Sequence, residues 1–266
     1  MRLSLHWPAF AAASLAAVCL GTNLCGAPQA PLTSTAEAAQ PAAPPPAATL
    51  TPLQRGDLHM ARKMFREAID MYRKAMSGDQ DYILHNKIGI AYQHMENLGA
   101  AKKSYNQALK LNPKYSEARN NLGTLAYGRK DYKGAIREYT RALELNPNSA
   151  TTYSNLGTAY FARRRYEEAA KAYQLAVKLD PEVFDSHGTA GTILQERSVE
   201  ERAKFHYYLA KTYAAAGMAE RALISIRKAL EEGFKDKKKF LEEPAFAALQ
   251  ELPEFKQIIA AETRVL

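Results

Sequence analysis

Asn121-Leu122-Gly123-Thr124 and, 34 residues on, Asn155-Leu156-Gly157-Thr158 read as nearly one text. Gly89 stands 34 residues before Gly123, and each glycine brings the same companions. An alanine follows twelve residues later (Ala101, Ala135, Ala169), then a tyrosine (Tyr105, Tyr139, Tyr173), another alanine (Ala108, Ala142, Ala176) and a proline (Pro113, Pro147, Pro181). A fixed period of this length marks stacked units, none of which can bury its apolar face alone. Such arrays bind more often than they catalyse.

Outward from this centre the pattern loosens. Gly56, Ala68, Tyr72 and Ala75 keep it without a closing proline, and Gly56 to Gly89 is one residue short. Beyond Pro181 the next match is Leu209 to Tyr213, with Ala222, Ile226 and Ala229 behind it, so about 19 residues are inserted. Thr51 and Gln54 have capping-box spacing with Pro52 at the first helical position, and Ser198 with Glu201 repeats the spacing. The second box predicts that the helix after the insertion starts early. Phe246, Leu249, Leu252, Phe255, Ile258 and Ile259 in the tail suit a cap over the last repeat's apolar face.

The expected organisation is a signal peptide or anchor at 1–38, an Ala/Pro-rich linker at 39–50, four repeats at 51–183, an insertion at 184–202, a fifth repeat at 203–236 and a helical cap at 237–266. Arg2 followed by the apolar run Ala9 to Leu20 has the form of an export signal and is short for a membrane span. Ala36 and Ala38 offer a small-x-small cleavage pattern far from the run, so an uncleaved tether stays open. Localisation is therefore read as periplasmic or secreted. Pro41, Pro44, Pro45 and Pro46 favour an extended spacer after it.

Both cysteines, Cys19 and Cys25, lie in the apolar leader, which excludes a disulfide framework or thiolate metal site from the repeats. The six histidines show no metal-ligand spacing, and Gly188 to Thr192 lacks the lysine of a phosphate loop. No catalytic residue, cofactor or metal is expected. The charge of +8 admits an anionic partner or serves solubility, and the export signal argues against nucleic acid.

The recurring Leu156-Gly157-Thr158-Ala159-Tyr160, Ala169 with Tyr173, and Pro181 resemble the tetratricopeptide repeat (TPR) over 51–183 and, in outline, 203–236. The family's tryptophan is absent: His85, Arg119, Tyr153 and His206 stand in its place. The resemblance implies an all-α fold, an α-α superhelix (TPR solenoid) of about five helix-turn-helix repeats with a C-terminal helical cap. Gly123 opposite Ala135 would let two helices approach closely, which offsets the ~1 kcal/mol that a mid-helix glycine costs. The tyrosines are expected in the core.

The resemblance also puts the first helix of each pair on a concave groove. Its candidate lining is Asn86, Lys87, Asn120, Asn121, Thr124, Ser154, Asn155, Thr158, Tyr207, Tyr208 and Lys211. Asparagine offers donor and acceptor together, so Asn121 in line with Asn155 could hold an extended peptide by its backbone. Some TPR-like transferases use such a ladder, and others in the family clamp a C-terminal carboxylate with lysine, arginine and asparagine, for which Lys87, Asn121 and Lys211 are loosely spaced. A second pattern, Arg62, Lys63, Arg129, Lys130, Arg163, Arg164 and Arg165, predicts a basic edge at the turns within repeats. The expected function is a non-catalytic exported scaffold that binds a protein or peptide of unknown identity. The alternative is an envelope-assembly or pilotin-like factor that meets lipid headgroups or an anionic polymer through the basic edge.

Overall fold

Order in the array starts at Thr51, whose hydroxyl accepts from the Gln54 amide at 3.2 Å while its own amide donates to Gln54 Oε1 at 2.9 Å. The computed structural model describes residues 50–184 and 198–261. Five helix pairs follow one another: α1 (Pro52–Ala61) with α2 (Phe65–Ala75), α3 (Asp81–His94) with α4 (Leu98–Leu111), α5 (Ser116–Gly128) with α6 (Tyr132–Leu145), α7 (Ala150–Ala162) with α8 (Tyr166–Leu179), and α9 (Val199–Ala215) with α10 (Ala219–Glu231). Each pair packs on the next through its second helix. In addition α3 meets α5 and α5 meets α7, which draws the odd-numbered helices together on the inner, concave side of the curve. The chain is a TPR-type helix-turn-helix solenoid, and the described residues contain no strand.

The recurring glycines are explained first by the tyrosines, and at Gly157 the carbonyl of Ala169, the equivalent of Ala135, also comes within 3.2 Å of an added Cβ. A Cβ on Gly123 would stand 2.6 Å from the Tyr139 ring, and Gly56, Gly89 and Gly157 face Tyr72, Tyr105 and Tyr173 as closely. All four rings are buried. Tyr139 and Tyr173 then donate to Thr124 and Thr158, the residue after the glycine, at 3.2 and 3.3 Å. Tyr72 donates to Asp57 in the same position, whereas Tyr105 meets Ile90 there and reaches Gln93 instead. The fifth pair replaces both partners at once, with Ala210 and Ile226 fully buried.

Turns between pairs follow from proline. Asn112, Asn146 and Asp180 precede Pro113, Pro147 and Pro181 and are driven out of the helical region, to φ −134, −136 and −144°. Their side chains then accept amides two residues on. Turns within pairs are left-handed at one residue each: Lys63, Glu96, Lys130 and Arg164 have φ between 58 and 64°, and Gly217 has 73°. In each, a 5→2 and a 6→1 bond close the helix end, as in Lys130 N to Tyr127 O and Asp131 N to Ala126 O.

The helix read as starting early does so: α9 begins at Val199, capped by Ser198 on the Glu201 amide at 3.2 Å, so residues 199–202 are helical rather than inserted. Residues 185–197 and the proposed signal and linker at 1–49 lie outside the described residues. Past α10, helix α11 (Lys238–Glu242), a 3-10 segment (Pro244–Leu249) and α12 (Pro253–Ala260) close the array. Phe240, Phe246, Leu249, Phe255 and Ile258 join one apolar cluster that runs back to Phe161.

Candidate functional site

The groove candidates separate into three groups. Asn86, Asn120, Asn121 and Asn155 are joined to one another. Asn155 Nδ2 donates to Asn120 Oδ1 at 3.0 Å, Asn120 Nδ2 leans on Asn121 Oδ1 at 3.4 Å, and Asn121 Nδ2 donates to Asn86 Oδ1 at 2.9 Å. Partners on neighbouring helices are 35 residues apart, so Asn121 and Asn155 hold equivalent positions and each bonds an asparagine of the preceding odd helix rather than the other. The curvature of the odd helices sets the second residue before each glycine against the third residue before the preceding one. Asn86 and Asn155 are buried, at 6% and 4% exposure, while Asn120 and Asn121 are half-buried. These two line a cleft of about 320 Å³ with Asn86 and Ile90 of α3, Glu117 of α5 and the first turn of α7.

A second group serves packing. Ser154 and Thr158 are buried, Thr158 donates to the Ser154 carbonyl at 2.9 Å, and Thr124 does the same to Asn120 at 3.2 Å while accepting from Tyr139. Tyr207 does not line the groove. It is buried beneath the cap, stacked on Phe234 with centroids 4.7 Å apart and edge-on to Phe240. Tyr208 stacks on Tyr166 at 5.1 Å. The pattern set Tyr207-Tyr208 beside Asn120-Asn121, but the last repeat has a cap where the others have a successor.

The lysines form the third group, and both are taken. Lys87 Nζ lies 2.6 Å from Asp57 Oδ1 and 5.6 Å from the centre of the Tyr72 ring. Burial pushes the Asp57 carboxyl up, but hydrogen bonds from Lys87 and Tyr72 with the Lys87 charge outweigh it and leave it below the usual value. Lys211 Nζ holds Glu243 Oε2 at 3.0 Å, which draws the cap across the groove's far end. The carboxylate-clamp reading of Lys87, Asn121 and Lys211 therefore meets occupied cations.

The basic edge is formed by helix ends. Arg62, Arg129 and Arg163 are the C-caps of α1, α5 and α7, and Lys63, Lys130 and Arg164 follow them in the left-handed position. All six are exposed and make no ion pair among the described residues. Positive charge at a helix C-terminus is favourable by roughly 0.3–1 kcal/mol, which accounts for the pattern without a ligand. Arg165 departs from it, paired with Glu168 at 2.6 Å and lying over Tyr160. The fold extends the edge in a way the pattern missed. A hydrogen bond from Lys204, with the charges of Lys204, Lys235 and Arg164, holds the Glu200 carboxyl below its usual range.

Glu117, Ile90 and Thr151 were also missed as cleft residues. The signal existed: Ile83, Glu117 and Thr151 each stand six residues before a glycine, on the same helix face. Among the described residues no group of histidine, cysteine or carboxylate side chains could hold a metal, and no helix is long and apolar enough to cross a membrane.

Comparison with known proteins agrees with the geometry. Residues 82–115 and 150–183 match the tetratricopeptide repeat, and residues 125–163 match a second TPR repeat profile. These stretches carry tetratricopeptide repeats. Over 101 residues it is 35% identical to the heat-shock protein cognate (HSC) co-chaperone sgt12 of Aspergillus fumigatus, covering 37% of this chain and 30% of that protein. It thus spans less than a third of that relative's length. Among solved structures, MamA is 23% identical over 69% of this chain and 96% of its own, with a TM-score of 0.46. MamA 41-end from Desulfovibrio magneticus RS-1 is 22% identical over 67% and 90%, with a TM-score of 0.45.

Proposed function

We propose that this protein is an exported, non-catalytic scaffold that holds a segment of a partner polypeptide in the cleft between α3, α5 and α7. The tetratricopeptide repeats, and a relative named as a co-chaperone, support an interaction role. The observation that carries the finer reading is the asparagine relay. It fixes the amide planes of Asn120 and Asn121 from behind while leaving both side chains at the cleft surface. Groups already held in place lose little freedom when a ligand arrives, which is how a rigid receptor gains affinity.

The test must spare the relay. Asn155→Ala would strip a buried partner from Asn120, and an unpaired buried amide costs about 1–3 kcal/mol, so it reports on packing. Asn120→Asp would cut the bond from Asn120 to Asn121 as well, whereas Thr151→Trp touches no relay atom and fills the cleft from an exposed position on α7. Thr151→Trp is expected to lose the partner that the wild type captures from an envelope extract, with unchanged thermal unfolding. Undiminished capture by Thr151→Trp would remove the groove reading. Export rests on Arg2 and the run Ala9 to Leu20, and N-terminal sequencing of the fractionated protein decides it: an intact Met1 in the membrane fraction replaces a soluble scaffold with a tethered one.

A second reading, association with an anionic envelope surface, has one observation in its favour. Lys63, Lys130 and Arg164 carry charge at backbone positions where glycine is less strained.

A further inference from the structure

Hydrogen-bond bookkeeping in the cleft narrows what it can hold. A carboxamide has two N–H donors and an oxygen with two lone pairs. Asn86 is turned inside the fold, where it accepts from Asn121 and is only 6% exposed. Asn120 gives its oxygen to Asn155 and one N–H to Asn121. Asn121 gives one N–H to Asn86 and its oxygen to Asn120. Each of these two half-buried residues therefore keeps one donor and one lone pair. That is the complement of a peptide group, which itself offers one donor and one acceptor.

Charge narrows it further. A free carboxylate needs cations to hold its charge, and the three lysines on the odd helices of the five pairs are already paired, Lys87 with Asp57, Lys204 with Glu200 and Lys211 with Glu243. The charged group on the cleft wall is Glu117, which is exposed and accepts from Ser116 at 3.0 Å. Beside it Ile90 offers an apolar surface. A like charge brought next to Glu117 is repelled, and an opposite one is drawn in.

We propose that the cleft takes an internal, extended stretch of polypeptide by its main chain on Asn120 and Asn121. Glu117 selects a lysine or arginine in that stretch and turns away acidic segments and free C-termini. This rests on the groove reading and deepens it. The basic face of the scaffold and the acid of its cleft then serve opposite tasks.

Two random dodecapeptide phage libraries test it against the full chain, one displaying the peptide inside a loop and one at a free C-terminus. The loop library should yield binders rich in Lys or Arg and poor in Asp and Glu. A synthetic, end-blocked binder should lose at least tenfold in affinity when its basic residue becomes Glu, and Glu117→Gln should reduce that discrimination to less than threefold. Thr151→Trp should abolish binding altogether. Enrichment of acidic or C-terminal peptides that Thr151→Trp still blocks overturns the proposal and leaves the groove reading standing. Discrimination unchanged in Glu117→Gln overturns it too. If no library yields a peptide that Thr151→Trp blocks, both readings fall.

Discussion

Gly123 and Tyr139 form a matched pair, and the chain contains its own control for it. Where the ring is lost, at Ile226, the glycine opposite has become Ala210, with both fully buried. Gly123→Ala would force a methyl to 2.6 Å from the Tyr139 ring, an overpacking that costs about 1–3 kcal/mol. Adding Tyr139→Ile should cost less than the two single changes summed, by roughly 1 kcal/mol, because the clash disappears with the ring. Urea unfolding of the four proteins measures this, and additive losses would contradict the pairing. A second residue sets a pH dependence. Burial holds His206 below the ordinary imidazole value against the upward pull of Glu232, and Lys228 and Arg202 add to the depression. His85 is lowered by burial too, with Asp81 opposing. Since the unfolded chain then binds more protons below about pH 6.5, stability must fall as pH drops through that window. Replacing His206 with Leu should flatten the decline between about pH 7 and 5, as thermal melts at both ends would show.

Helices and turns were legible from the sequence to different degrees, for physical reasons. Capping at Thr51 and Ser198 rests on local spacing, and the prolines act on the residue before them, so both could be read directly. The turns within pairs could be aligned, but not the hand of their backbone. Four charged residues, Lys63, Glu96, Lys130 and Arg164, stand where a glycine would have announced the left-handed conformation, and among these turns Gly217 alone does so. Left-handed geometry costs a residue with a Cβ about 1–2 kcal/mol. Lys130→Gly should therefore raise stability by about 1 kcal/mol in urea unfolding, and a loss of that size would show that the lysine is held by a contact. The period finds the asparagines but not their contacts. It aligns Asn121 with Asn155 as equivalent positions, while the one-residue offset between adjacent odd helices brings Asn121 to Asn86 and Asn155 to Asn120. Tyr207 is misplaced by the same alignment, because a repeat period carries no information about the cap that packs on the final pair.

At the scale of the molecule, packing and binding occupy different ends. One apolar cluster from Phe161 to Ile258 welds the last two pairs to the cap, while the earlier repeats are held by three smaller clusters. The cap draws Glu243 onto Lys211 and covers Tyr207, so the open groove is confined to the first part of the array. There the relay of asparagines ties α3, α5 and α7 and substitutes for a larger core. The central claim is that this stretch, and not the outer face, receives the partner. Photo-crosslinking in the source cell tests it, with benzoylphenylalanine at exposed position 114 or 148, on the cleft rim beside Ser116 and Ser149, and at position 140, exposed on α6. The account predicts one polypeptide adduct from 114 and 148, none from 140, and loss of both adducts in Thr151→Trp. Adducts of equal strength from position 140, or adducts indifferent to Thr151→Trp, would contradict it.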